Sequence, residues 1–224
     1  MGDGFFGKEQ WKKDGQYAYV MLKAIDIEFV KKFQKTVELL TGKTYSVYKV
    51  DKGDGKNRQA LYLCKCFARD LVAELVQTTN SKTEIPNFIK DGDDSVKLDF
   101  IQGLMDSEGY VTMSISPLKQ WNVGIYLACT SSWMNDVWHF FKDCGIKTSD
   151  FSRRVMKDGR KDVYWFKIDI LDYIEKGLSF SMSRKRERLE FIAKILRDYM
   201  SGYKMAYKKA CVEDIVRPLS KVGG

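Results

Sequence analysis

Two acids stand in matching surroundings. Asp3 lies in Gly2-Asp3-Gly4-Phe5 and Glu108 in Ser107-Glu108-Gly109-Tyr110, each reading small, acid, glycine, aromatic. Ahead of Glu108 the run Phe100 to Met105 is largely apolar. Behind it Tyr110, Thr112 and Ser114 alternate with Val111, Met113 and Ile115. This pattern predicts a helix that carries a carboxylate at its C-terminal end and passes straight into a strand. Gly103 and Ser107, four apart, put two small side chains on one helix face. A face without bulk lets another backbone come close, so a second helix is expected against it. Two carboxylates at the ends of two close-packed helices can hold divalent metal ions between them. The plainer alternative is a buried helix closed by a glycine, and the second copy of the ending at Asp3 weighs against it.

Composition removes several competing chemistries. The only histidine among 224 residues is His139, so a Cys/His zinc cluster and a Ser-His-Asp machine both lack their parts. His139 itself sits in Trp138-His139-Phe140-Phe141 and reads as a packed residue of a core helix. The five cysteines form no C-x-x-C pair and read as reduced, buried thiols. No run of some 18 apolar residues occurs, so no membrane partner is expected. Asp3 and Lys8 interrupt any leader-like stretch. With 44% hydrophobic residues the chain has enough apolar matter for packed cores. The net charge of +8 suits a polyanionic partner.

The elements that position the acids come in two copies. Strands are predicted at Tyr17–Leu22, Tyr45–Val50 and Ala60–Phe67, with helices at Ile27–Leu40 and Ala68–Gln77. The order recurs as strands at Tyr110–Ser116, Val123–Cys129, Lys147–Met156 and Val163–Ile168, with helices at Trp133–Cys144 and Ile170–Lys176. Landmarks keep their offset: Asp3 and Glu108 are 105 apart, the turn glycines Gly55 and Gly159 are 104 apart, and Lys65 and Lys167 are 102 apart. A repeat of this length predicts two similar units related by a pseudo-two-fold axis. Each unit is a β-β-α-β-β-α arrangement following a helix, with one sheet face on its own helices and the other open. A last helix is predicted at Glu187–Met200, preceded by the basic tract Arg184-Lys185-Arg186. A basic helix start opposes the dipole and is expected to face a phosphate or a carboxylate.

The segment Ile101 to Gly109 resembles the LAGLIDADG motif of homing endonucleases. Gly103, Leu104, Asp106 and Gly109 coincide with the family pattern, and Glu108 stands where Asp or Glu is usual. At the N-terminus the tail of the motif stands alone as Gly2-Asp3-Gly4. The resemblance implies an α+β fold of two pseudo-symmetric αββαββα repeats, whose antiparallel sheets form a DNA-binding saddle. On that frame residues 1–78 are the first repeat, 79–97 a linker, 98–200 the second repeat and 201–224 a basic tail. It also implies a Mg²⁺-dependent cut of both strands of a long, near-asymmetric double-stranded DNA site, with Mn²⁺ as a substitute cofactor. Asp3 and Glu108 would be the catalytic, metal-holding acids, with Gly2 and Ser107 beside them in the ligand set. Lys82, ahead of Ile85-Pro86-Asn87-Phe88, and Lys185 match the lysines that lie near such sites, able to orient a water or neutralise the leaving phosphate.

Four hairpins carry the residue types that contact base edges and phosphates. These are Lys8, Gln10, Lys12 and Lys13; Lys49, Lys52, Lys56 and Arg58; Lys119 and Gln120; and Arg153, Arg154, Lys157, Arg160 and Lys161. The same scaffold serves as an RNA-binding intron maturase and as a DNA-binding protein that has lost cleavage, so both stand as alternatives. The expected form is a monomer, unless a second chain supplies a motif helix. The expected location is cytoplasmic, at a nucleoid, or in an organelle.

Overall fold

A computed structural model describes residues 4–11, 15–51, 59–78, 84–115, 121–130, 133–156 and 160–200. The first unit opens with the hairpin β1 (Gly4–Trp11) and β2 (Gly15–Ala24), followed by α1 (Ile27–Thr41), β3 (Val47–Asp51), β4 (Leu61–Phe67) and α2 (Arg69–Thr78). A short α3 (Asn87–Lys90) leads into α4 (Asp94–Glu108). The second unit then runs β5 (Gly109–Ile115), β6 (Trp121–Cys129), α5 (Met134–Asp143), β7 (Ser152–Arg154), β8 (Val163–Ile168) and α6 (Ile170–Glu175), closed by α7 (Ser183–Met200). The two antiparallel sheets have the same order, β1-β2-β4-β3 and β5-β6-β8-β7. The internal repeat read from spacing is therefore a repeat of topology.

Alternation along the strands decides which face each sheet buries. In the first unit Val20, Leu22, Cys64 and Cys66 point at Val30 and Val37 of α1 and Val72 of α2. In the second, Val111, Met113, Ile125, Leu127, Phe166 and Ile168 face Val137, Phe140 and Phe141 of α5. α1 docks through Phe29, Val30, Phe33 and Val37, and it stops at Gly42, whose positive φ lets its N–H reach back to the Glu38 carbonyl.

Three elements depart from the expected bounds for local reasons. α4 starts at Asp94, because the Asp93 carboxylate accepts the Val96 N–H at 3.0 Å as an N-cap. Residues 79–97, read as a linker, thus supply the first turn of α4, and Ile85 and Ile89 join the second core. β7 is three residues long, with one isolated bridge from Thr148 to Ile168 ahead of it, where a longer strand was expected. α7 begins at Ser183 and takes the basic tract into its first turn. His139 is a correction: it is exposed on α5, where its ring lies edge-on to that of Trp138 at 4.7 Å between centroids. Cys64 and Cys66 are buried and 3.5 Å apart, with burial pushing both thiols up, whereas Cys129 and Cys144 are half-buried. No helix among the described residues is long and apolar enough to cross a membrane.

Candidate functional site

α4 delivers Glu108 as the sequence predicts, as its last residue and half-buried. Ile101, Leu104 and Met105 anchor the helix in the second core. Burying such side chains contributes ~1.5–3 kcal/mol each. Gly109 is extended rather than left-handed, and its N–H closes on the Met105 carbonyl. A Cβ at Gly109 would stand 2.6 Å from that oxygen and from the Met105 side chain. Only glycine lets the helix pass into β5 without shifting the acid. Ser107 spends its hydroxyl on the Leu104 carbonyl at 3.0 Å. The Lys185 ammonium reaches the same helix end, donating to the Asp106 carbonyl at 2.8 Å and approaching the Met105 carbonyl at 3.5 Å. A cation there satisfies orphan carbonyls and offsets the negative end of the helix dipole beside Glu108.

Beneath this end lies Asp106, the one buried charged residue among those described. Its carboxylate accepts from Lys32 of α1 at 3.0 Å, from the Ser181 hydroxyl at 2.6 Å and N–H at 2.7 Å, and from Gln102 at 3.3 Å. Gln102 also exchanges hydrogen bonds with the Ser179 backbone. Asp106 therefore fastens α4 to the chain entering α7 and to the first unit at once. Two further contacts join the units where the basic start of α7 was expected to face an anion. Glu28 accepts the Ser183 N–H and hydroxyl at 2.7 and 2.8 Å, and Asp26 pairs with Arg184 at 3.0 Å. Those Ser183 bonds hold the Glu28 carboxyl below its ordinary value. A depressed carboxyl contributes stability that is present at neutral pH and lost as pH falls below the ordinary ~4.3. Glu28→Gln should lower the unfolding free energy at pH 7, read by denaturant titration, by no more than ~1 kcal/mol because both partners meet solvent. The gap to wild type should close at pH 3; a gap that stays constant with pH would count against this bond.

The small face of α4 borders a groove of ≈520 Å³, floored by Leu22, Phe29 and Phe33 on the first unit and by Phe100, Gly103 and Leu104 on α4. A Cβ at Gly103 would meet nothing within 4 Å. The second helix expected against Gly103 and Ser107 is thus not among the described residues. Gly103→Ala should raise unfolding stability by ~0.5–1 kcal/mol, the ordinary gain inside a helix, because the methyl enters open space. Urea denaturation measures it, and a loss of stability would mean that this face is occupied in solution.

Strand register sorts the expected DNA-contacting residues. Lys8 pairs with Ala18, Lys49 with Tyr62 and Arg153 with Tyr164, and Gln10 follows Lys8 by two. Lys49 and Arg153 lie on the rows that carry the cores, yet on edge strands where both side chains are exposed. Arg153 is moreover held by Asp162 at 2.9 and 2.6 Å, which keeps the Asp162 carboxyl below its usual range. Arg154 falls on the open row, and Lys49, Arg154, Arg160 and Lys161 are exposed. The open rows include Tyr19, Lys23, Lys65 and Phe67 in one unit and Tyr110, Thr112, Tyr126, Trp165 and Lys167 in the other. Their alternation with buried neighbours was present in the sequence, and the matched offset of Lys65 and Lys167 was its clearest sign.

Gly2, Asp3, Lys12, Lys13, Lys52, Lys56, Arg58, Lys82, Lys119, Gln120 and Lys157 lie outside the described residues. Among those described, no group of three or more Asp, Glu, His or Cys side chains gathers to hold a metal. One carboxylate, here Glu108, still fits Mg²⁺, which binds through one or two carboxylates and keeps waters and phosphate oxygens for the rest of its shell.

No family model matches the sequence, and no curated protein matches it. Solved structures do match the fold. A mesophilic variant of the homing endonuclease I-DmoI is 18% identical, with a TM-score of 0.53, over 78% of this chain and 86% of that one. I-SmaMI bound to its uncleaved DNA target with calcium ions is 10% identical, with a TM-score of 0.55, over 98% of this chain and 94% of that one. The LAGLIDADG meganuclease I-AabMI, bound to uncleaved DNA, is 11% identical, with a TM-score of 0.51, over 88% of each chain. I-DmoI has also been solved in complex with DNA and manganese. With its doubled sheet order and its acid-tipped α4, the chain has the fold of the LAGLIDADG homing endonucleases, both units of it in one polypeptide.

Proposed function

We propose that the protein is a site-specific DNA endonuclease that hydrolyses both strands of a long, near-asymmetric target with Mg²⁺. The observation that supports this most is Glu108 at the tip of α4, held by the clamp at Asp106 and capped by Lys185, in a fold whose solved examples include complexes with target DNA and divalent metals. A divalent cation there would stabilise charge on the attacked phosphate. Of the chain's own residues, Glu108 and Asp3 would hold it, with Ser107 and Gly2 beside them. Lys185 and Lys82 would orient a water or neutralise the leaving oxygen. Lys49, Arg154, Arg160 and Lys161 would fix the duplex through its phosphates, with the other hairpin residues, Lys8, Gln10 and Arg153 included, at its rim.

The test is incubation of the protein with plasmid carrying the DNA that flanks its own gene, in Mg²⁺, Mn²⁺ or EDTA. Linear product in Mg²⁺ or Mn²⁺ and none in EDTA is the expected result. Selective binding of the duplex with no cutting in any divalent ion would instead make the protein a cleavage-deficient DNA binder.

A further inference from the structure

The two units differ at one position of the open face that decides where a lysine points its charge. Lys65 and Lys167 occupy the same place in the repeat, on the open rows of the central strands β4 and β8, opposite Met21 and Tyr126. Two residues before each partner stands Tyr19 in one unit and Gly124 in the other, 105 apart like the two acids. A ring in one place and a hydrogen in the other send the lysines different ways. Lys65 holds its ammonium 4.0 Å from the centre of the Tyr19 ring and 5.1 Å from that of Phe67, so its charge is already engaged by two ring faces. Lys167 instead lays its stem across Gly124. A Cβ there would collide with Lys167 Cε and stand 3.1 Å from its Cγ and Cδ. Glycine inside a strand weakens it and marks a close approach, and here the approaching group is this side chain.

The notch fixes where the Lys167 charge can act. Gly124 lies on β6, between β8 and β5, and pairs with Thr112, four residues along β5 from Glu108. The lysine therefore crosses the middle of the sheet toward the strand that leaves the acid. Its half-buried stem is held before any ligand arrives, which removes part of the ordering cost of binding. Among the described residues it is the one charged side chain on the open rows of β5, β6 and β8. The other cation of this face, Arg154, is exposed on the edge strand β7. On a sheet laid into a major groove, the edges meet phosphates and the middle meets base edges.

We propose that Lys167 determines specificity in the half-site bound by the second unit, its ammonium donating to the O6 and N7 acceptors of a guanine, and that Gly124 is the positioning residue for it. The assignment rests on the reading of the protein as a binder of duplex DNA and adds an asymmetry to it: the first unit, with Tyr19 in place of the notch, lacks this contact.

Selection from a library of randomised DNA duplexes, with the full chain in Ca²⁺, tests it. Wild type should enrich sites that carry a guanine at one position, preferred ~5–150-fold over adenine, the range for one well-made base contact. Lys167→Met should abolish that preference and leave the other half of the site as it was. Gly124→Ala should do the same, and because its methyl displaces only the flexible end of Lys167, the fold is kept. Lys167→Arg, which offers donors to the same two acceptors, should retain the guanine. Lys65→Met should leave it as strongly preferred as in wild type. At that position 7-deazaguanine, which lacks the N7 acceptor, should weaken the binding of wild type and not that of Lys167→Met. A further arm needs no variant to fold: the selected duplex should shield Lys167 of the wild-type protein from acetylation. A Lys167→Met protein that keeps the guanine, or that binds every sequence more weakly with a salt slope lower by ~1, the mark of a phosphate contact, overturns the assignment alone. So does a Lys167 acetylated equally with and without the duplex. A wild-type protein that enriches no duplex sequence overturns the duplex reading beneath it as well.

Discussion

Asp106→Ala should cost ~3–5 kcal/mol of unfolding free energy, the usual price of removing one partner from a buried charge network. Against a total stability of ~5–15 kcal/mol for a domain, that is a third or more of the margin. The size follows from what the carboxylate does. It is 1% exposed, and its removal leaves the half-buried Ser181 N–H without its acceptor and breaks the ion pair with Lys32, which keeps its bond to the Ser181 hydroxyl. An unsatisfied buried donor costs ~1–3 kcal/mol by itself. Lys32→Met should be milder, ~1–2 kcal/mol, because Lys32 is 47% exposed and Asp106 keeps its bonds from Ser181 and Gln102. Guanidinium denaturation at pH 7 checks the order. An Asp106→Ala protein within ~1 kcal/mol of wild type, or one more stable than Lys32→Met, would show that the clamp is not what joins the units. Asp106 is the motif's inner acid, and its position in the chain says nothing about this role.

That contrast runs through the whole molecule. What depends on local spacing was legible in the sequence. The doubled element order, α4 ending on Glu108, and the glycine that lets helix pass into strand all follow from periodicity and from residues within one turn of each other. What depends on distant pairing was not. Lys32 meets Asp106 across 74 positions, and Ser183 meets Glu28 across 155. No period or motif connects such residues. The basic start of α7 was a partial exception, because charge against a helix dipole demands a counter-ion, and Asp26 and Glu28 provide it. The hairpin cations show how much register adds to residue type. Residue type made Lys8, Gln10, Lys49 and Arg153 candidates, but a shift of one position in a strand exchanges the faces. Only the register showed that Lys49 and Arg153 share rows with the cores while Arg154, Lys65 and Lys167 stand on the open side.

Glu108→Gln should lower cleavage more than ~100-fold while leaving the fold as stable as wild type, or slightly more so. The two halves of this expectation come from one placement. A carboxylate at the C-terminal end of a helix faces the dipole's negative pole, which costs ~0.3–1 kcal/mol. A residue kept only for packing would not be acidic there, and glutamine removes the charge with little change of shape. On the catalytic side, changes one shell beyond a metal's ligands already cost ~10–100-fold, so if Glu108 holds the metal as proposed, its loss must cost more. Lys185 gives the internal control, since it donates to the Asp106 carbonyl at the same helix end. Lys185→Met should weaken both stability and cleavage, because it removes a helix cap and a cation together. In Glu108→Gln the two readouts should separate, with melting temperature unchanged or up and cleavage down. Cutting that survives Glu108→Gln in a fully folded protein would remove Glu108 from the chemistry. A variant that loses cutting only because it unfolds would make Glu108 a structural residue of α4 instead.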